Sequence, residues 1–250
     1  MTTLTLSQLS DYCGILLDCN AFDDYAPNGV QVEAGEEISR LVTGVSASLE
    51  LIEAAADGGA DAILVHHGYF WKGEPPSLTG LKGRRIRALL ENHISLLAYH
   101  LPLDAHPEYG NNIQLARRLG FGSAEPLSGG MIWRGMLAQS CSAEEFGRRI
   151  AGRLGRVPLH IGDAGDPIRD IAWCTGAAQD FIEQAAGAGV DAYLTGEVSE
   201  RTVLAARELG LHFFAAGHHA TERYGVAALG EHLAAHFGIE VNFIDIPNPA

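Results

Sequence analysis

Ile52-Glu-Ala-Ala-Ala-Asp-Gly-Gly-Ala-Asp-Ala-Ile-Leu64 returns 130 residues later as Ile182-Glu-Gln-Ala-Ala-Gly-Ala-Gly-Val-Asp-Ala-Tyr-Leu194, with eight of the thirteen positions identical. Each copy reads as an Ala-rich helix stopped by glycine (Gly58 and Gly59, or Gly189), then an aspartate (Asp61 or Asp191) and a short apolar strand. Alanine loses no side-chain entropy in a helix, glycine ends one by turning left-handed, and a short apolar run after such a stop fits a buried strand. This is the helix-to-strand passage of an α/β unit, present twice.

The repeat extends in both directions. Downstream, the apolar residues 94–99 lead into His100, and residues 211–216 lead through Gly217 into His218. Four residues beyond each histidine stands a carboxylate, Asp104 or Glu222, and then a glycine, Gly110 or Gly225, before a helix that ends near Gly120 or Gly238. Upstream, Thr5-x-x-Gln8 and Ser142-x-x-Glu145 are capping boxes, each opening an amphipathic helix. The first carries Leu6, Leu9, Tyr12, Cys13, Leu16 and Leu17, and the second Phe146, Ile150 and Leu154. Strands are expected at residues 30–32 and 41–45, and again at 157–161 and 168–174. The pattern predicts an α/β fold with mixed sheets, built from two similar halves. Each half has a helix, two strands, then alternating helices and strands. The halves are residues 1–124 and 125–250, joined through the Gly-rich stretch 122–130, while residues 73–83, with Pro75-Pro76, read as a surface loop.

The 250 residues carry 17 Lys and Arg against 31 Asp and Glu, a net charge of −14 that no basic run offsets. A phosphate backbone needs a positive face, so nucleic acid is disfavoured as a partner. At 47% hydrophobic and 19% charged residues the composition is that of a folded chain. No apolar stretch approaches the roughly 20 residues of a bilayer-spanning helix. Met1-Thr2-Thr3-Leu4 lacks the basic start of a secretion signal, so the expected location is cytoplasmic. Cys13, Cys19, Cys141 and Cys174 form no Cys-x-x-Cys pair and are expected to be buried reduced thiols.

Ligands of open α/β sheets gather at the carboxyl ends of strands. Five of the eleven histidines stand at three such ends: His66 and His67, His100, and His218 and His219. Imidazole nitrogen with carboxylate oxygen and no thiolate is the donor mix of a hydrolytic Zn, Mn, Fe, Co or Ni site. One catalytic cation with an open position needs fewer donors than this. Two cations about 3.5–4 Å apart, sharing a carboxylate and an activated water, would use them. On that reading Glu222 bridges and is a candidate for proton transfer, while His66, His67, Asp104 and His218 are terminal ligands. His100 and His219 are further ligands or supporting partners. Glu197 stands where His67 stands in the first copy, and either orients a ligand, binds substrate or complements a helix N-terminus. Tyr69-Phe70-Trp71 either stacks a planar ring or covers the core, cover being the simpler reading. Asn111-Asn112 reads as a helix cap. His93, His106, His160, His212, His232 and His236 are read as structural. There is no Walker A loop, Gly-x-Ser-x-Gly elbow or Gly-x-Gly-x-x-Gly after a strand.

Asn28-Gly29-Val30-Gln31-Val32, Val65-His66-His67-Gly68-Tyr69-Phe70-Trp71, Tyr99-His100-Leu101-Pro102-Leu103-Asp104-Ala105-His106, Thr195-Gly196-Glu197 and Gly217-His218-His219-Ala220-Thr221-Glu222-Arg223, taken in order, resemble the Nif-three-like family, also called GTP cyclohydrolase 1 type 2 homologues. The resemblance spans nearly the whole chain and is to the short bacterial form. It implies two intertwined α/β halves with two divalent cations per chain in the cleft between them, held by His66, His67, Asp104, His218 and Glu222. His100 lies where some members place a further ligand. It also implies a ring-like homohexamer built from dimers and a small-molecule substrate. A cyclohydrolase adds water at a ring carbon and opens the ring, chemistry that a metal-activated water and a neighbouring acid or base can perform. The same residues suit hydrolysis of an amide, phosphoester or cyclic amidine, or a metal-handling protein without turnover. A ring enclosing nucleic acid is opposed by the −14 charge.

Overall fold

A computed structural model describes residues 4–127, 130–163 and 165–250, and the chain forms two compact units. Met1–Gly110 and Gly225–Ile246 make the first, and Asn111–Tyr224 and Pro247–Ala250 the second. Along the first run β1 (Leu4–Thr5), α1 (Leu6–Leu16), β2 (Gly29–Val32), β3 (Glu37–Ile38), β4 (Arg40–Ser46), α2 (Leu49–Asp57), β5 (Ala62–His67), α3 (Gly80–Glu91), β6 (Ser95–Ala98) and α4 (Leu101–Ala105). The second has α5 (Asn111–Leu119), β7 (Gly122–Pro126), β8 (Trp133–Cys141), α6 (Ala143–Leu154), β9 (Leu159–Ile161) and β10 (Ile168–Trp173). It continues with α7 (Ile182–Gly187), β11 (Ala192–Thr195), α8 (Glu200–Leu209) and β12 (His212–Ala215). Helix α9 (His218–Phe237) starts in the second unit and continues in the first, where β13 (Glu240–Phe243) closes the order.

The first unit holds a five-stranded sheet in the order β13-β4-β5-β6-β2, and the second a six-stranded one in the order β7-β8-β10-β11-β12-β9. Strands β4, β5 and β6 run parallel, with β2 antiparallel at the edge; β10, β11 and β12 run parallel, with β9 antiparallel at the matching edge. Side chains alternate across each sheet, as the period of two requires. Leu41, Val45 and Leu64 face α1 and α9, whereas Val42, Ile63 and Val65 face α2 and α3. In the second unit Ile171, Trp173 and Leu194 pack on α5 and α6, and Ala172 and Tyr193 on α7 and α8. Each unit is therefore a three-layer α/β/α sandwich.

The internal repeat is real in the hydrogen-bond register. Leu41 pairs with Ala62 and Ile171 with Ala192, the same step 130 residues apart. The repeated aspartates have one job: Asp61 Oδ2 accepts the N–H groups of Ser39 and Arg40, and Asp191 Oδ2 those of Arg169 and Asp170, each bond 2.8 or 2.9 Å. Both capping boxes form as predicted. Cys13 and Cys174 are buried, Cys19 and Cys141 half-buried, and none of the four is in a disulfide. Burial pushes the Cys13 thiol up to about 12.

The compact units do not coincide with the halves 1–124 and 125–250. The chain changes unit at Gly110/Asn111, at Tyr224/Gly225 and, for its last four residues, at Ile246/Pro247. The reason is a helix exchange: α5, which follows β6, supplies Leu115, Ala116 and Leu119 to the second core, while α9, which follows β12, supplies Val226, Leu229 and Leu233 to the first. The stretch read as a joining segment is no linker, since residues 122–126 form β7, paired antiparallel to β8; Ser128 and Gly129 lie outside the described residues, as do Met1, Thr2 and Thr3. The expected loop 73–83 is shorter than read, because α3 begins at Gly80. Among the described residues no helix is long and apolar enough to cross a membrane.

Candidate metal centre

In the first unit β5 runs buried through Ala62–His67 and delivers His66, fully buried, and His67, half-buried, at its carboxyl end. The neighbouring β6 ends at Ala98, and His100 caps α4, in whose first turn Asp104 lies. His66, His67 and His100 each offer a ring nitrogen within 4.8 Å of the others'. His66 Nε2 is 3.4 Å from Asp104 Oδ1.

The partners of the other ring nitrogens decide what these imidazoles can do. His66 Nδ1 donates to the Tyr99 carbonyl at 3.0 Å, and His100 Nδ1 donates to Asp24 Oδ1 at 2.9 Å. A carbonyl or carboxylate oxygen can only accept, so Nδ1 carries the proton and the Nε2 of the neutral ring keeps its lone pair. His67 Nδ1 lies 3.1 Å from Ser46 Oγ, which can donate or accept.

Asp24 holds this corner together. Its carboxylate takes His100 Nδ1, the N–H groups of Leu101 and Ala26, and the Asn28 amide, while Asn28 Oδ1 accepts the His100 N–H at 2.7 Å. Burial raises the Asp24 pKa, but the hydrogen bonds from His100 and Asn28 outweigh it and bring it down to about 2.

In the second unit His218 and Glu222 stand one turn apart at the start of α9. His218 Nε2 is 3.0 Å from Glu222 Oε2, and His218 Nδ1 is 2.7 Å from Glu197 Oε1. Glu197, two residues past the end of β11, is thus the hydrogen-bond partner of His218 Nδ1. Burial lowers the His218 pKa, yet Glu222 and then Glu197 outweigh it and lift it to about 9. Two glycines shape the cradle. A Cβ on Gly176, whose φ is +70°, would stand 1.9 Å from Glu222 Oε1 and 3.3 Å from His218 Nε2. One on Gly196 would meet the His218 backbone at 2.7 Å. The Gly176 N–H donates to Thr221 Oγ1 at 3.1 Å, tying the cradle to α9.

The strand register refines the apparent repeat of histidine and carboxylate. Leu64 pairs with Leu97 and Leu194 with Phe214, so His100 corresponds to Gly217, and His218 to Leu101. The shared spacing is thus not a shared alignment, and the two units supply their donors from positions one residue out of step.

Asp24, Asn28, Ser46, Gly176 and Thr221 went unread in the sequence. Of these, Asn28, immediately before Gly29, and Thr221, immediately before Glu222, lie in quoted motifs. Asn111 and Asn112 are buried, with Asn112 bonded to Trp173 and Thr175, so they are more than a helix cap. Of the aromatic run, Tyr69 is core, its hydroxyl donating to the Ala47 carbonyl, whereas Trp71 packs beside His67 and His100. The histidines read as structural have such roles: His160 and His212 bond each other, His232 bonds and His236 stacks on Tyr12, and His106 accepts from the Glu108 and Tyr109 N–H groups. His93 is exposed and His219 is buried.

A family model described as Duf34/NIF3 (NGG1p interacting factor 3) matches residues 4–249. The chain is 57% identical to a Pseudomonas aeruginosa protein named GTP cyclohydrolase 1 type 2 homolog, over 99% of both chains. An Escherichia coli K12 protein of the same name is 54% identical over 94% of this chain and 95% of that one. Among solved structures, a chain described as protein ybgI, of unknown function, superimposes with a TM-score of 0.96 at 50% identity, covering 99% of this chain and 100% of that one. A Thermus thermophilus protein does so with a TM-score of 0.92 at 31% identity, covering 99% and 100%.

Proposed function

Since the chain belongs to the Duf34/NIF3 family, we propose that it is a metal-dependent hydrolase acting on a nucleotide or other small cyclic substrate, with His66, His67, Asp104, His218 and Glu222 together holding two divalent cations. The observation that carries this reading is the commitment of Nδ1: in His66, His100 and His218 it faces an obligate acceptor, so that each ring, when neutral, offers its lone pair at Nε2. Carbonyl and carboxylate partners behind ligating imidazoles fix the tautomer and raise ligand basicity. The donor set, nitrogen and carboxylate oxygen with no thiolate, fits Zn, Mn, Fe, Co or Ni.

When bound, such cations supply Lewis acidity and lower the pKa of water. The chain's own residues do the rest. Asp24 and Glu197 hold His100 and His218 in place and keep their Nδ1 protons. Glu222, buried beside His218 Nε2, would be among the residues that hold the cations, and its carboxylate is the group placed to accept or return a proton during water addition. The name borne by the P. aeruginosa and E. coli relatives makes GTP the first substrate to assay.

The test is metal content per chain on protein purified without a His-tag, followed by assay against GTP for loss of the guanine chromophore. About two metals per chain with turnover is the expected result. His67→Ala and Glu222→Ala each lower the metal content while leaving circular dichroism unchanged; normal metal in both variants overturns the ligand assignment. Two metals without turnover on GTP or on amide, phosphoester and cyclic amidine substrates would move the protein to metal handling.

A further inference from the structure

The two units make the same two connections at very different lengths. Between α1 and β2 the first unit spends residues 17–28, twelve in all, where the second passes from α6 to β9 in four, residues 155–158. Between β5 and α3 it spends residues 68–79, again twelve, where the second passes from β11 to α8 in four, residues 196–199. The second unit shows that four residues satisfy the fold, so the additional length serves something else.

Both long connections arrive at the same place. The first brings Tyr25, whose ring lies 4.9 Å from that of His100 at 74°, and the second brings Trp71, 5.1 Å from His100 at 87° and 6.0 Å from His67. The two aromatic rings are 5.7 Å apart and tilted by 35°. They are fastened to each other and to the scaffold. The Lys72 N–H donates to the Tyr25 carbonyl at 2.7 Å. Glu74 Oε2 accepts the N–H groups of Phe70 and Trp71 and pairs with Lys82 of α3 at 3.5 Å. Phe70 sits at φ +64°, a conformation a bulky residue adopts only when its surroundings impose it. Yet Tyr25 stays 52% exposed and Trp71 half-buried, so these connections hold aromatic faces in solvent beside imidazoles instead of sealing them into a core.

We propose that Tyr25 and Trp71 form a stacking subsite for a planar, nitrogen-containing ring, which they present to the His67 and His100 imidazoles. The proposal rests on the hydrolase reading for its chemistry and names the class of substrate: a ring compound, recognised by its face. Aromatic platforms bind such rings through π-stacking irrespective of the ring's hydrogen-bonding edge. Glu74 and Lys82 are positioning residues that keep the Trp71 connection in place.

The chain carries its own reporter. Of its three tryptophans, Trp133 and Trp173 are buried in the second unit, leaving Trp71 as the one a ligand can reach. Titration of the metal-free protein and of the zinc-loaded protein with guanosine monophosphate is expected to quench tryptophan emission, and ribose 5-phosphate, lacking the ring, is expected not to. W71F removes the quench. By calorimetry, Trp71→Ala and Tyr25→Ala each weaken guanosine monophosphate binding roughly 5- to 100-fold, as loss of one stacking face does. Circular dichroism and metal content remain as in the parent. Equal response to both probes, or unweakened binding by both alanine variants, overturns the proposal. The hydrolase reading fails separately. Ring-dependent quenching without metal or turnover leaves the subsite and removes the hydrolase, whereas turnover with KM unchanged in both variants does the reverse.

Discussion

His218 is held between two carboxylates, and the proton on its ring competes with any cation for Nε2. Glu222 and Glu197 lift its pKa from the ordinary 6.5 to about 9 against the pull of burial. A raised folded-state pKa means that the stabilisation from these pairs is complete below about 6.5 and is lost as pH rises through about 9. Cation binding runs the opposite way, because Nε2 must first lose its proton. Two trends are therefore expected in thermal melts between pH 6 and 8.5. The increment in Tm given by saturating zinc grows with pH, while this residue's own contribution to the metal-free protein shrinks. A zinc increment that is flat or falls over that interval would refute His218 as a ligand. Glu197→Gln separates orientation from charge: the side chain keeps its shape, and metal affinity falls by roughly 10- to 100-fold, the usual effect of losing such a partner. The histidines themselves were legible because each stands where an apolar run stops, a local signal. Asp24 was not: it lies in a connection that the other unit makes in four residues, and its four hydrogen bonds arise only when residues 26, 28, 100 and 101 converge.

At the scale of the element, the repeated aspartate explains why the passage from helix to strand was written twice. Asp61 and Asp191 each accept two backbone N–H groups where the adjoining strand begins, setting the start of β4 against β5 and of β10 against β11. Hydrogen bonds to a charged acceptor contribute about 1.5–3 kcal/mol when shielded, and solvent reduces that at these exposed ends. Asp61→Ala and Asp191→Ala are each expected to cost about 1–2 kcal/mol in urea unfolding, and the costs to add, because the two sites share no partner. Loss of less than a few tenths in both would show that water replaces the carboxylate fully. The helices and central strands were legible for the same reason as these aspartates, since periodicity and capping are written within a few residues. The sequence reading failed at β7. Residues 122–126 carry glycine, serine and proline, the composition of a joining segment, and become a strand only because β8 offers an edge to pair with.

The whole molecule follows from which sheet each helix covers, and nothing local states that. Helix α5 follows β6 after the short α4, and α9 follows β12 directly, so the sequence reads both as the closing helix of their own half. In the structure each closes the other repeat's sandwich. Residues 1–124 alone would therefore hold β4, β5 and β6 without the layer formed by Val226, Leu229 and Leu233, all fully buried in the intact protein. Burial of a large aliphatic side chain contributes about 1.5–3 kcal/mol, so losing three such residues, along with the edge strand β13, removes much of the roughly 5–15 kcal/mol that stabilises a typical domain. A chain ended after residue 124 is expected to be insoluble or to bind a hydrophobic dye, with no cooperative melt. Co-expression with residues 125–250 is expected to restore a folded complex that elutes as one species, because each fragment carries the helix its partner's sheet requires. A fragment 1–124 that melts cooperatively alone would show that the sandwich closes without α9, and that the exchange contributes little to stability.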